Sequence, residues 1–153
     1  MTREDTLDAI MAVMEAGFDP HWREAWTRAQ VTASMVMPST HALLVDGRGQ
    51  LAETPQDAVG FILSRHVVDE EELLLVAVRP EYRGKGIGRR LIETFADRAA
   101  DRGVTKIYLE VRANNPAMAL YRRAGFKEIG RRPEYYRTLD GKPIDAITFA
   151  RNL

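Results

Sequence analysis

The sequence contains no cysteine. This one absence excludes disulfides, thiolate nucleophiles and cysteine-type zinc sites. Histidine is scarce: His21, His41 and His66 stand singly, without metal-ligand spacing, so each reads as a surface or packing residue and no metal is expected. Net charge is lacking too, with Lys+Arg and Asp+Glu at 22 each. No global field draws nucleic acid, so no direct nucleic-acid binding is expected, although the arginines past residue 79 allow a local basic patch that would need its own anion. No stretch approaches the apolar length of a membrane span. Thr2-Arg3-Glu4-Asp5 carries acid where a targeting peptide would be basic and then apolar, so a cytoplasmic protein is expected. What is present, 153 residues with 45% apolar and 29% charged, suits a single domain over residues 1–153 with a core that needs no staple.

Thr2 and Asp5 mark a helix start, and Leu7, Ile10, Met11 and Met14 recur at helical spacing until Gly17. A second helix is predicted over Trp22 to Met35, with Trp22, Trp26 and Ala29 on one face. His41 to Val45 reads as a strand, followed by a polar loop that turns at Asp46-Gly47. Ala58 to Val68 and Glu72 to Val78 read as an antiparallel hairpin. The unbroken apolar run Leu73 to Val78 predicts a central strand buried on both faces. Ile87, Leu91, Phe95 and Ala99 form the inner stripe of a helix that stops at Gly103, and Lys106 to Val111 is the next strand. Strand, helix, strand at this spacing predicts a right-handed parallel crossover. Asn115-Pro116 predicts a capped helix start, with that helix ending at Gly125, and Phe126 to Tyr136 with Ile144 to Ala150 predicts a closing hairpin.

Arg79 to Arg90 joins the central strand to its helix and carries glycine at 84, 86 and 88. Glycines at a helix N-terminus let unpaired N–H groups approach an anion, and the helix dipole favours that anion. The spacing alone fits equally a glycine-rich connection decorated by surface cations. A nucleotide P-loop is excluded, because Gly88 is followed by Arg89-Arg90 rather than Lys and a hydroxyl residue. A dinucleotide fingerprint would place an acid about 20 residues on, near Glu110, but the glycine spacing differs and a single crossover is too few.

Arg83-Gly-Lys-Gly86-Ile-Gly88 resembles the Arg-x-x-Gly-x-Gly loop of the GNAT superfamily of N-acetyltransferases. The resemblance extends to Leu73–Arg79, to Leu109-Glu-Val-Arg112 and to Ala119-Leu-Tyr-Arg-Arg-Ala-Gly-Phe126. Within the superfamily, Leu109 to Arg112 together with Arg131-Arg-Pro-Glu-Tyr-Tyr136, Asp140-Gly141 and Asp145-Ala-Ile147 resembles the bacterial ribosomal-protein alanine N-acetyltransferases. The similarity covers about residues 58 to 150. It implies a GNAT-like α/β fold (an α+β mixed sheet): a central mixed sheet with one parallel strand-helix-strand crossover, flanked by helices. It also implies acetyl-coenzyme A as cosubstrate. Arg83, Gly84, Lys85, Gly86, Ile87, Gly88 and Arg89 would hold the pyrophosphate, and backbone groups of Val76, Ala77 and Val78 would hold the pantetheine arm.

The same resemblance implies that Glu110 takes the proton of the amine and Tyr121 donates to the leaving thiolate. Glu110 could instead pair structurally with Arg112 or another arginine, and Tyr121 could be a half-buried core tyrosine. From Glu110 to Tyr121 the chain is one residue shorter than is usual in the family, so the asparagine that contacts the coenzyme is Asn115 counted from the strand or Asn114 counted back from Tyr121. Asn115 is the preferred reading, against a plain helix-capping role. Tyr135, Tyr136, Asp140 and Asp145 would border the acceptor, or else sit on a solvated hairpin. No strand is expected before the first helix, and Phe18-Asp-Pro-His-Trp22 only loosely matches the aromatic-proline-tryptophan segment of the subfamily. The acceptor implied is the N-terminal amine of a protein, of the ribosomal alanine type. The alternatives are a small-molecule amine or a coenzyme-binding module without catalysis.

Overall fold

The computed structural model describes residues 1–153. The first helix, α1 (Arg3–Gly17), begins with a reciprocal capping box: Thr2 Oγ1 accepts from the Asp5 N–H and Asp5 Oδ2 from the Thr2 N–H, both at 3.0 Å. It buries Leu7, Ile10, Val13 and Met14. No strand precedes it.

The second helix is shorter than the sequence predicts. Helix α2 spans Arg28–Met35 because a second capping box, Thr27 with Gln30, sets its start. Pro20–Trp22 forms a single 3-10 turn closed by Arg23 at φ +56°, which leaves Trp22 and Trp26 outside the helix.

Six strands follow: β1 (Thr40–Val45), β2 (Gly60–Val67), β3 (Glu70–Val78), β4 (Lys106–Arg112), β5 (Lys127–Arg137) and β6 (Pro143–Asn152), in the order β1-β2-β3-β4-β6-β5. Every neighbouring pair is antiparallel except β3 with β4, which are joined by α3 (Ile87–Asp101) in the expected crossover. The short α4 (Met118–Arg123) bridges β4 and β5. It starts at Met118 rather than at the proline, since Asn115-Pro116 is used in a turn ahead of it. No helix is long and apolar enough to cross a membrane.

Each face of the sheet carries its own core. Leu91, Ile92, Phe95 and Ala99 of α3 pack with Ile62, Ile107, Leu109 and Phe149 on one side. Ile10, Val13 and Met14 of α1 pack with Phe61, Leu63, Leu75 and Ala77 on the other. Burial at this scale, roughly 1.5–3 kcal/mol for each large apolar side chain removed from water, lets the domain hold without cross-links.

β3 serves both cores by a route the sequence did not reveal. Leu63 pairs with Leu75 while Ser64 pairs with Leu73, so Leu74 is an unpaired extra residue, a β-bulge. The bulge flips the facing of the strand: Leu73 joins the α3-side core, whereas Leu75 and Ala77 join the α1-side core. Burial along β3 alternates instead of being complete, with Leu74, Val76 and Val78 half-buried. The reason is that β4 pairs with β3 only as far as Leu73 with Leu109 and then departs.

Candidate active site

The glycine loop lies where β3 feeds α3. The N–H groups of residues 84 to 89 find no acceptor within the chain; the first N–H of the helix region to do so is that of Arg90, bonded to the Gly86 carbonyl. Gly84 and Gly86 adopt φ +76° and +79°, where a side chain is strained although nothing lies near it. Gly88 has an ordinary φ, and a Cβ there would lie 2.9 Å from Leu120 Cδ2, the movable end of a half-buried side chain, where α4 packs against the start of α3.

The cations of the loop are partly committed. The Arg83 guanidinium, expected to face an anion, turns inward, with Nε donating to the Val78 carbonyl at 3.1 Å and Nη2 to that of Gly17 at 2.8 Å. It ties the loop to the ends of β3 and α1. Lys85 lies over the Tyr82 ring, Arg89 is 3.6 Å from Glu93, and Ile87 is in the core, so only its backbone faces the loop. Gly86→Ala should therefore raise the dissociation constant of a phosphate ligand with little effect on stability beyond about 1–2 kcal/mol of backbone strain. Gly88→Ala should cost less stability than Gly86→Ala, because its φ is ordinary and only the movable end of Leu120 has to shift. Ligand titration and denaturant melts on the two variants check this division.

Past Leu73, the edge of β3 turned toward β4 has no strand partner, while its other edge stays paired with β2 through Val78 with Gly60. The parting opens a cavity of about 330 Å³. Leu74 and Val76 of β3 form one wall, Glu110 and Val111 of β4 another, and Asn115, Tyr121 and Tyr136 close it. Ala77 faces the α1-side core, and the Val78 carbonyl is taken by Arg83.

Glu110 projects into this cavity, 21% exposed, with Arg132 Nε 3.2 Å from its carboxylate. Its partner is therefore Arg132 and not Arg112. Arg112 is buried: its Nε donates to Glu24 at 3.0 Å and its Nη1 to Asn114 Oδ1 at 2.7 Å, and its guanidinium stacks 3.8 Å over Trp22. That leaves Asn115 as the asparagine on the cavity wall, its Oδ1 accepting from the Ala117 N–H at 2.9 Å.

Tyr121 is buried against Phe126 and Phe149, and burial pushes its phenol well above the ordinary value. Tyr136 is raised to about 12, first by burial and then by the Glu110 and Glu24 carboxylates. Both phenols therefore stay protonated near neutrality. The unfolded chain releases these protons near pH ~10 and the native Tyr136 only near 12, so native stability present below ~10 is lost as pH climbs between those values. Tyr136→Phe should flatten that alkaline decline in denaturant melts.

Of the four residues expected beside the acceptor, Tyr136 lines the cavity and the other three do not. Tyr135 is 52% exposed and packs edge-on to Tyr136 outside the cavity. Asp145 faces β5, accepting from Arg131 Nη1 and the Glu134 N–H, each at 2.9 Å. It anchors an irregularity in which Glu134 adopts φ +55° and which carries Tyr136 inward. Asp140 contacts the Thr138 hydroxyl in the hairpin turn.

Three cavity residues carry no signal of their own in the sequence: Arg23 and Glu24, from the stretch between α1 and α2, and Gln30, from the first turn of α2. The bracketing tryptophans Trp22 and Trp26 were the available signal, hidden by their helical spacing. Two histidines are packing residues that meet each other: His41 Nε2 and His66 Nδ1 lie 2.9 Å apart across β1 and β2, with the rings stacked. No group of three metal-binding side chains forms.

The family model described as Acetyltransferase (GNAT) family matches residues 8–126. The [ribosomal protein bS18]-alanine N-acetyltransferase of Escherichia coli is 45% identical over 91 residues, 59% of this chain and 61% of that protein. The chain thus spans about three fifths of the length of such curated relatives. N-alpha-acetyltransferase RimI of Mycobacterium tuberculosis is 36% identical over 148 residues, covering 94% of this chain and 82% of that one. The crystal structure of the Escherichia coli ribosomal-protein-alanine enzyme superposes with a TM-score of 0.83 at 30% identity, over 99% of this chain and 90% of that chain.

Proposed function

The chain belongs to the acetyltransferase (GNAT) family, and from that premise we propose that residues 1–153 form one catalytic unit that moves the acetyl group of acetyl-coenzyme A to the N-terminal α-amine of a protein. The observation that carries this reading is the parting of β3 and β4: a free strand edge faces Glu110 and runs into a loop of unpaired N–H groups. An extended amide-bearing arm can add to that edge as a strand would, along Val76 to Val78, with its pyrophosphate on the N–H groups of residues 84 to 89. Lys85 and Arg89 supply charge there, and Arg83 holds the loop in shape. Asn115 borders the same channel.

The chemistry then follows from the walls. The amine nitrogen attacks the thioester carbonyl carbon, the C–S bond breaks, Glu110 takes the proton of the amine and Tyr121 gives one to the departing thiolate. An N–H near Val78 can polarise the carbonyl. An α-amine, with a pKa of about 7.7–8.0, asks much less of a carboxylate base than a lysine amine near 10.4. The similarity to bS18-alanine and N-alpha-acetyltransferases favours the same acceptor class, with a ribosomal protein beginning with alanine as the first candidate.

The test is turnover of acetyl-coenzyme A with peptides whose N-terminus is free or blocked. Acetylation of the free peptide alone is expected. Equal turnover of both would sink the reading, and strong turnover of a polyamine with no peptide activity would select a small-molecule acceptor instead.

A further inference from the structure

We infer that Arg132 is a specificity-determining residue of the acceptor site: its guanidinium occupies the cation seat beside Glu110, and the acceptor's ammonium displaces it on binding. This rests on the proposed transfer to an amine and adds what the incoming amine must replace. Glu110 lies in the cavity wall, whereas Arg132 reaches it from the solvent side and is itself 62% exposed. The approach is open because Thr148, paired with Glu110, is in turn paired with Gly130, which presents no side chain. Arg132, two residues further along β5, leans over that gap.

Arg23 also lines the cavity, but Arg132 is the cation in ion-pair contact with Glu110. Arg112, on the same face of β4, is committed to Glu24, Asn114 and Trp22. From the other elements, Tyr121 of α4 and Tyr136 of β5 face the site as neutral phenols, and Glu24 adds a second negative charge. Without Arg132 the empty site would hold Glu110 with no cation in ion-pair contact. With it, an ammonium enters by exchanging one cation for another.

Arg132 is well placed to leave. Its remaining contact is the exposed Tyr135 ring at 5.0 Å. Its backbone stays fixed, because neighbouring Arg131 and the Glu134 N–H are both tied to Asp145. An exposed ion pair is a weak competitor, worth at most about fivefold in affinity. Ammonium therefore displaces it readily, while a blocked N-terminus or a hydroxyl acceptor, having no positive charge, leaves Arg132 in place.

The experiment compares wild type, Arg132→Gln and Arg132→Lys with a peptide bearing a free N-terminal alanine. The KM of Arg132→Gln for the peptide should fall up to about fivefold, with kcat changing less, and Arg132→Lys should behave as wild type. An unchanged or raised KM in Arg132→Gln overturns the inference, the latter by making Arg132 a binder of the acceptor. A second readout needs no turnover: in calorimetry a free-amine alanine peptide should bind up to about fivefold tighter to Arg132→Gln than to wild type, while the N-blocked peptide shows no difference. Equal affinities of wild type and variant for the free-amine peptide overturn the inference. If wild type turns over no free-amine peptide, the proposed function fails, and the binding comparison still decides whether Arg132 holds the seat.

Discussion

Tyr121→Phe is expected to lower kcat for acetyl transfer by about 10²- to 10⁴-fold, the range for loss of a positioned general acid, with coenzyme affinity and melting temperature nearly unchanged. The division follows from the position of the residue. The ring sits between Phe126 and Phe149, packing that phenylalanine keeps, and only the hydroxyl is lost. Burial holds that hydroxyl protonated well beyond neutral pH, so a donor is present at every turnover. A thiolate of pKa about 8.5 is a weaker base than a phenolate of about 10, which makes the phenol a modest acid but a dependable one. Single-turnover rates together with coenzyme titration check the prediction. A kcat within a few-fold of wild type would mean that the thiolate leaves unaided and that Tyr121 is a core residue.

Glu110→Gln should cost about 10²-fold or more in kcat/KM near neutral pH, and the deficit should shrink as pH rises. The amide keeps the shape of the side chain but can neither take a proton nor pair with Arg132 as a carboxylate does. Below a pKa of about 7.7–8.0 an α-amine arrives charged and needs the base; above it, most of the acceptor is already neutral. A pH–rate profile from about 6 to 10 therefore reports on base and acceptor together. Recovery of the variant above about pH 8 fits an α-amine, whereas an acceptor amine near 10.4 would show no recovery over that range. An unchanged profile would leave Glu110 only as the partner of Arg132.

Much of this site was legible in the chain. The glycine loop, the apolar stripe of α3 and the Thr2–Asp5 capping box are fixed by neighbours within a turn or two, and local spacing records them directly. The limits of local spacing show equally clearly. Trp22 and Trp26 are four apart and look helical, yet the Thr27–Gln30 capping box starts the helix after both. Nothing in the local spacing of Asp145 shows that its carboxylate pins the β5 irregularity that brings Tyr136 into the cavity.

By itself the sequence determined the element order, the crossover and the loop of glycines, because periodicity, caps and motif spacing are local properties. Tertiary structure decided the rest. Arg112 meets Glu24 across a separation of 88 residues, Arg83 spends its charge on the Gly17 carbonyl, and Arg132 covers Glu110 only because β5 joins the sheet beyond β6. The cavity itself exists because the bulge at Leu74 lies where β3 parts from β4. Such pairings depend on strand register and sheet order, which bring together side chains that no spacing along the chain could have joined.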